Sequence, residues 1–338
     1  MLEKPDLEDK ELIACLQYSY GLPVVQVMFL PLGADFNTAV YRAVADDQTP
    51  YFVKLRRGIF DETSVALPKL LRDQGVEQMI VPLAAKTGQL WARLHAFTVI
   101  LYPFVEGRNG YRVALSDRHW RAFGTALKQL HTAFVPSALA RAIQHETYDA
   151  HGRNQVRRFL LCLDDSTFDD HIAIRLAAFL KLKRPEIIEL VERAERFALA
   201  LQAHAPEFTV CHSDAHAGNV LIDSNDHFYI VDWDNPIFAP KERDLMFVGG
   251  GQGFIGYTPQ EEEHLFYEGY GQTQIDPIAL AYYRYERIIQ DIAVYCEQIF
   301  MAAGGAEDRE QSLRYLISNF QPGDTIARAY AADPTLRS

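Results

Sequence analysis

The chain is poor in the features that mark secreted and membrane-spanning proteins. It has four cysteines in 338 residues, and they are too widely spaced for a zinc ribbon or a compact disulfide framework: Cys15, Cys162, Cys211 and Cys296. The charged start lacks the basic-then-apolar pattern of a secretory signal. Because the sequence also lacks an apolar run of about 18 residues, we expect no membrane-spanning helix. Together these absences predict a cytoplasmic protein.

Positive charge is also scarce. The chain has 33 Lys and Arg residues against 45 Asp and Glu residues, and its formal net charge is -12. Since nucleic-acid binding requires clustered Lys and Arg, we expect no nucleic-acid partner. An acidic surface would help to attract a small cationic substrate, although many soluble proteins are acidic for other reasons. We expect a monomer or a weak homodimer.

The pattern of apolar residues changes along the chain. Strand-like segments predominate up to residue 102 and are interrupted by one helix near 63–73. The predicted strands are 24–30, 38–44, 51–55, 79–84, 89–94 and 97–102. From Ser116, a candidate N-cap, the spacing becomes helical. The predicted helices are 116–134, 152–163, 170–182, 186–203, 260–270, 277–302 and 308–319.

This order of elements predicts an α+β fold of two lobes. A small antiparallel β-rich N-lobe is expected over residues 1–104, and a linker over 105–115. A larger, mainly helical C-lobe is expected over 116–338. A hairpin over 208–232 is expected to be the one β element of that C-lobe.

The most informative segment is HSDAHAGNVLIDSNDHFYIVDWD, residues 212–234. It places His212, Asp214 and Asn219 in a His-x-Asp-x4-Asn pattern, and two apolar β-rich runs then lead to Asp232. A hairpin would bring the three oxygen-bearing side chains to one place. Phosphoryl transfer requires such a group: one carboxylate to orient or deprotonate an alcohol, and an amide with a second carboxylate to hold Mg²⁺ on nucleotide phosphates.

A rival interpretation takes His212, Asp214 and His216 as ligands of Zn²⁺ or Fe in a hydrolase. Imidazole and carboxylate groups suit such metals. This interpretation leaves Asn219 and Asp232 unexplained, and His216 could simply form a hydrogen bond within its loop.

The segment resembles the catalytic segment of the protein-kinase-like superfamily, in its aminoglycoside phosphotransferase and choline kinase branch. The resemblance implies that Asp214 is the catalytic base and that Asn219 and Asp232 bind Mg²⁺. It also implies that His212 and Asp244 support the loop structurally. The chain lacks the Asp-Phe-Gly and Ala-Pro-Glu segments of protein kinases, so a small-molecule alcohol is the expected acceptor.

The resemblance places ATP in the N-lobe. Lys54 matches the strand lysine that contacts the α and β phosphates, although by pattern alone a single lysine in a strand is more often solvent-facing. Glu62, near the start of the following helix, is its expected carboxylate partner. The other implied nucleotide contacts are Gly33 and Asp35 in a covering loop and Tyr102 and Phe104 in the hinge run. An ordinary hairpin turn and plain packing of Phe104 are the alternatives.

The chain resembles the spectinomycin phosphotransferase group of this branch from the Lys54 strand through the hinge and the catalytic loop to the final helices. That likeness implies transfer of the γ-phosphoryl group of ATP to a hydroxyl of spectinomycin or a related aminocyclitol or aminoglycoside, as in antibiotic resistance. A cationic substrate of this kind favours carboxylates and aromatic faces. The candidates are Asp234, Glu268, Glu286, Asp291 and Tyr267. Alternatively, Asp291 pairs with Arg287 along one helix and the tyrosine belongs to the core.

Two other functions stay open. One is a metabolic alcohol kinase acting on choline, homoserine or a sugar amine. The other is a nucleotide-binding pseudokinase that serves as an interaction module. Retention of the candidate base Asp214 argues against the pseudokinase, because a binding module does not need it.

Overall fold

The computed structural model describes residues 3–33, 35–164, 167–204, 206–250, 253–301, 305–321 and 323–336. The chain divides into two compact units. The sheet unit comprises Met1–Val113, Ala133–Ile143 and Gly218–Pro236, and the helical unit comprises Ala114–Thr132, Gln144–Ala217 and Ile237–Ser338. Both units are discontinuous in sequence, unlike the continuous lobes predicted with a linker at 105–115.

The elements are numbered in chain order. The helices are α1 (Asp9–Tyr20), α2 (Thr63–Asp73), α3 (Asp117–His131), α4 (Ser137–Ala142), α5 (His151–Cys162), α6 (His171–Ala203), α7 (Glu242–Leu245), α8 (Pro259–Tyr270), α9 (Pro277–Phe300), α10 (Ala306–Ser318) and α11 (Thr325–Ala332). The strands are β1 (Val24–Leu30), β2 (Thr38–Ala45), β3 (Pro50–Arg57), β4 (Ala92–Leu94), β5 (Phe97–Pro103), β6 (Gly107–Asn109), β7 (Gln144–His145), β8 (Phe208–Cys211), β9 (Val220–Asp223), β10 (Phe228–Ile230) and β11 (Ile237–Pro240).

The sheet unit is built on a five-stranded antiparallel sheet in the order β1-β2-β3-β5-β4. The predicted α+β class with an antiparallel sheet is confirmed. The strand predicted over 79–84 does not form, and Met79 makes an isolated bridge to Ile230 instead. Pro82 explains the difference, because a proline cannot donate to a strand ladder. Helix α1 is an addition to the predicted elements; it buries Leu12 and Leu16 in the core of this unit.

The helical unit contains two long helices that pack together, α6 and α9. Helix α6 is continuous over 33 residues, so the two helices predicted over 170–182 and 186–203 are one. The prediction failed at Pro185, which lacks the N–H that a helix interior needs. Buried Leu180, Ile187 and Leu190 flank this proline, and their packing offsets the lost hydrogen bond.

Small sheets complete both units. Strand β9 pairs with β10 and β6 in the sheet unit, and β11 pairs with β7 and β8 in the helical unit. The hairpin is therefore not the one β element of the C-terminal part, as predicted, because β7 and β11 lie outside it. Within the described ranges, none of the helices is long and apolar enough to cross a membrane.

Candidate active site

Strand β3 carries two cationic side chains on one face. Successive side chains of a strand point to opposite faces. Val53 and Leu55 are fully buried in the core of the sheet unit, so Lys54 and Arg56 lie on the other face. Tyr102 of β5 lies on the same face as Lys54, because Tyr102 faces Phe52 across the ladder. This face of the sheet presents the predicted nucleotide-binding groups.

Lys54 is held between two carboxylates. Its Nζ lies 2.6 Å from Oδ1 of Asp232 and 2.6 Å from Oδ1 of Asp234. Burial disfavours the charge on Lys54, but Asp232 and Asp234 outweigh burial and raise its pKa above the usual value. Glu62 was predicted as the partner of Lys54 and is not: it is the exposed N-cap residue of α2, and the ion pairs of Lys54 among the described residues are with the two aspartates.

Asn219 and Asp232 stand at the same end of the β9–β10 hairpin. The backbone N–H of Val231, the residue before Asp232, donates to the carbonyl of Asn219 at 2.9 Å. This hydrogen bond holds Asn219 and Asp232 close together in the backbone. Asp232 has a φ of 67°, a left-handed backbone conformation that is costly for a residue with a side chain. Its side chain is 46% exposed. One carboxylate and one amide oxygen at this position suit Mg²⁺, which prefers oxygen ligands.

The remaining predicted nucleotide contacts also lie in the sheet unit. Gly33 has a φ of 86° in the turn between β1 and β2, where a residue without a side chain is favoured. Asp35 shapes the same turn by accepting hydrogen bonds from the N–H of Asn37 and the hydroxyl of Thr38, each at 2.8 Å. Phe104 follows β5 and lies under the guanidinium of Arg42, 5.3 Å from ring centroid to Cζ.

In the helical unit, the candidate base Asp214 is bound to Arg287, the residue that the i,i+4 spacing pairs with Asp291. Nη1 of Arg287 donates to Oδ1 of Asp214 at 2.5 Å, and Nε2 of His216 lies 3.6 Å from Oδ2. Burial alone would raise the pKa of Asp214, but the charge of Arg287 and the nearby His216 hold it far below the usual range. Asp214 is therefore ionised at neutral pH.

Arg287 bridges two carboxylates. Its Nε lies 3.2 Å from Oδ1 of Asp291, one turn further along α9, and its guanidinium carbon lies 5.9 Å from the ring centroid of Phe247. The i,i+4 spacing of Arg287 and Asp291 was the one sequence signal for this group. The contact with Asp214 joins residues 73 positions apart, which the sequence does not indicate.

A buried carboxylate holds the loop that carries Asp214. Asp244 is fully buried and accepts hydrogen bonds from the backbone N–H groups of His212, at 2.9 Å, and Ser213, at 2.7 Å. His131 adds a contact of 3.0 Å from Nε2 to Asp244. Burial would raise the pKa of Asp244, but His131 and these loop contacts lower it. His212 in turn accepts the N–H of Asp214 through Nδ1 at 3.2 Å.

The rival metal site receives no support. In the part of the chain that the structure describes, the group with metal-ligand spacing is His131, Cys211 and Asp244 rather than His212, Asp214 and His216. Burial raises the pKa of the Cys211 thiol well above its usual value, and Sγ donates to backbone carbonyls. A metal ligand would have to be a thiolate, so this group is a structural cluster.

Two of the predicted substrate contacts, Asp234 and Glu286, form ion pairs within their own units. Asp234 lies in the sheet unit between Lys54 and Arg56, which donates to its second oxygen. Glu286 is 4% exposed, and its carboxylate accepts a hydrogen bond of 2.5 Å from Nη1 of Arg153. Both carboxylates are engaged in ion pairs, and that of Glu286 is buried. Periodicity did not reveal this burial, because α9 is covered by other elements on most of its circumference.

The other three predicted contacts lie in different places of the helical unit. Glu268 on α8 pairs with Arg121 at 2.5 Å, and Asp291 belongs to the Arg287 group. Tyr267 packs against Phe266, with ring centroids 5.3 Å apart. It also lines a cavity of about 600 Å³ together with residues 271–275.

Comparison with known proteins decides the family. The profile of the phosphotransferase enzyme family matches residues 29–271. The chain belongs to this family. This chain is 35% identical in sequence to spectinomycin phosphotransferase APH(9)-Ia. The crystal structure of that protein in complex with ADP and spectinomycin matches with a TM-score of 0.89 over 97% of this chain and 99% of that one.

Two further comparisons are more distant. Choline kinase LicA from Streptococcus pneumoniae shares the fold at 13% identity, with a TM-score of 0.57 over 91% of this chain and 97% of that one. Protein StrN of Streptomyces griseus is 23% identical over 248 residues, which are 71% of this chain and 74% of StrN. The phosphotransferase is therefore an enzyme of the kinase-like fold, as predicted, and the pseudokinase alternative is not supported. Its family uses ATP with a divalent metal such as Mg²⁺, which confirms the predicted cofactors.

Proposed function

We propose that this phosphotransferase transfers the γ-phosphoryl group of ATP to a hydroxyl of spectinomycin or a closely related aminocyclitol, and so confers resistance. The observation that carries the proposal is the 35% identity with spectinomycin phosphotransferase, which extends over 97% of the chain. The likeness to choline kinase is 13% identity and concerns the fold alone. A metabolic alcohol kinase is therefore the less favoured alternative.

The sheet unit would bind the nucleotide. Lys54 is a buried, charged ammonium on the face of β3 opposite the core and would bind phosphate oxygens. Asp232 and Asn219, at one end of the hairpin, would hold Mg²⁺. The metal would neutralise charge on the transferred phosphoryl group. The left-handed backbone at Asp232 supports this role, because strained residues of this kind concentrate at functional sites.

The helical unit would position the acceptor. Arg287 binds Oδ1 of Asp214 and His216 lies 3.6 Å from Oδ2, so the carboxylate is held in a fixed orientation and would bind the acceptor hydroxyl. A carboxylate with so low a pKa is a weak base, and its main contribution would be to orient the hydroxyl and accept its proton late in the transfer. Asp291, beside Arg287, adds negative charge that would favour an ammonium group of the substrate.

Because Lys54, Asp214, Asn219 and Asp232 belong to one chain, a monomer suffices for this mechanism, and we retain a monomer or weak homodimer. We also retain the cytoplasm as the compartment, since it supplies ATP.

The direct test is mass spectrometry of spectinomycin after incubation with the enzyme and Mg²⁺·ATP. We expect a mass gain of one phosphate on spectinomycin and little reaction with kanamycin-type aminoglycosides. The Asp214→Asn variant is the matched control, since it preserves the shape of the side chain. Clear turnover of choline or homoserine without reaction of spectinomycin would replace the proposed substrate and keep the phosphotransferase mechanism.

A further inference from the structure

Arg56 lies beside the predicted lysine on β3 and was not among the predicted site residues. Lys54 and Arg56 are two positions apart on one strand, so their side chains point to the same face at a spacing of roughly 7 Å along the strand. Their partner across the ladder is β5, where they face Ile100 and Thr98. The face that presents the lysine therefore presents a second permanent cation.

The two cations converge on a single anion. Nζ of Lys54 lies 2.6 Å from Oδ1 of Asp234, and the guanidinium of Arg56 donates to Oδ2 of the same carboxylate. The side chain of Asp234 is 16% exposed. Lys54 and Arg56 each bind one oxygen of the same carboxylate, so this strand face presents two cationic donors at a spacing that suits one oxyanion. A phosphate group offers the same pair of acceptor oxygens.

The position of Arg56 relative to the β1–β2 turn gives a second observation. Nη1 of Arg56 lies 3.7 Å from Oδ2 of Asp35, in the turn that begins at Gly33. Arg56 thus stands between Lys54 and the turn. Lys54 is buried, whereas the side chain of Arg56 is 22% exposed and closer to solvent. A polyphosphate that lies along this face would meet both residues.

We propose that Arg56 is a second phosphate-binding residue of the nucleotide site, which binds the terminal phosphates of ATP in place of its present contact with Asp234. The inference rests on the proposed use of ATP but not on the identity of the acceptor. Arginine suits this position because its planar group donates two parallel hydrogen bonds to a phosphate, whereas lysine acts as a point charge.

The test is calorimetric titration of AMP, ADP and ATP, each with Mg²⁺, into the full-length protein without antibiotic. For Arg56→Gln we expect ATP affinity to fall about 10-fold to 100-fold, the usual range for hydrogen bonds to charged groups, and AMP affinity to change by less than about 3-fold. Arg56→Lys should restore part of the loss. The matched control is Arg57→Gln, which removes the same charge from the other face of β3, where Arg57 lies over the ring of Phe97.

The outcomes separate this inference from the proposed function. Wild-type affinity for ATP in Arg56→Gln would overturn the inference alone and leave Arg56 as a structural partner of Asp234. An equal loss for AMP and ATP, or the same loss in Arg57→Gln, would also overturn it, because neither would depend on terminal phosphates. A wild-type protein that binds no ATP would overturn the proposed function as well.

Discussion

The sheet unit and the helical unit each contain a cation between two carboxylates. In the sheet unit Lys54 lies between Asp232 and Asp234, and in the helical unit Arg287 lies between Asp214 and Asp291. The charges are arranged alike, but the reactive member differs. The cation is the group proposed to bind substrate in the first, whereas a carboxylate has that role in the second. The same arrangement of one cation between two carboxylates can therefore bind an anionic group in one unit and an alcohol in the other.

The charges beside each cation, on the strand or helix that carries it, explain why the two clusters favour opposite partners. Lys54 extends from a strand that has a second cation, Arg56, on the same face, so that face favours anions. Arg287 extends from α9, where Asp291 lies one turn away and offsets its charge. With all members counted, the two cations of the strand face balance Asp232 and Asp234, whereas Asp214 and Asp291 leave one net negative charge around Arg287. The following changes test whether each cluster acts as this comparison implies.

The largest effect is expected from Asp214, the carboxylate of the helical unit that we propose as the reactive one. Asp214→Asn should lower kcat by roughly 10²-fold to 10⁴-fold, because the amide retains the shape but cannot accept the proton. ATP affinity should stay within about 3-fold of wild type, since the change leaves the Lys54 cluster intact. Steady-state kinetics and ATP titration measure the two quantities. A variant with near wild-type kcat would remove Asp214 from the mechanism.

The corresponding change in the sheet unit should affect binding as well as turnover. Asp232→Ala is expected to weaken Mg²⁺·ATP binding roughly 10-fold to 100-fold, because a carboxylate that holds the cation is lost. Asn219→Ala should act in the same direction and more mildly, since its side chain is neutral. Calorimetric titration at several Mg²⁺ concentrations measures both. Unchanged affinity for Asp232→Ala would contradict its metal role.

A substitution at Arg287 tests the helical cluster and leaves the proposed base, Asp214, in place. Arg287→Gln should reduce kcat about 10-fold through loss of the contact that fixes Oδ1 of Asp214. The pKa of Asp214 should rise toward its usual value, so the acid limb of the pH profile of kcat/KM moves to higher pH. Arg287→Lys should recover part of both effects. A loss of kcat with an unshifted acid limb would indicate a role in folding rather than in positioning Asp214.

The smallest effect on activity is expected at Glu286, a buried ion pair outside both clusters. Glu286→Gln should leave the KM for spectinomycin within about 2-fold, because its carboxylate is bound to Arg153. Burial raises the pKa of Glu286 to about 7, so in the wild type its contribution to stability is present below about pH 4.3 and is lost as pH rises through 7.

Thermal unfolding measured over that pH window checks this sign. The melting temperature of Glu286→Gln should depend less on pH between about 4.3 and 7 than that of the wild type. A large rise in KM with unchanged stability would instead return Glu286 to the substrate site.

The predictions from sequence succeeded where contacts are local. Asn219 and Asp232 share one hairpin end because a short turn joins β9 to β10, and the two apolar runs specify that pairing. The family resemblance added the fold, which is confirmed, and the phosphate-binding role of Lys54, which stays a prediction. These features depend on spacing within a few residues or on motifs that the family shares.

Contacts between distant residues were beyond the reach of the sequence pattern. Arg287 meets Asp214 and Arg153 meets Glu286 across 73 and 133 positions, respectively. A charged residue on a helix looks the same in sequence whether solvent or another helix covers it. The sequence therefore predicts Glu286 as a substrate contact and does not reveal the ion pairs of Arg56 and Arg287.

Two residues with side chains adopt left-handed backbone conformations next to the proposed catalytic groups: Ser213, with a φ of 72°, and Asp232, with a φ of 67°. Glycine would adopt either conformation at lower cost. Selection for heat tolerance alone would consequently favour glycine at both positions. Selection by the antibiotic would act against glycine at position 232, because the side chain of Asp232 is proposed to hold Mg²⁺. Variation at these two codons would record which pressure a lineage has experienced.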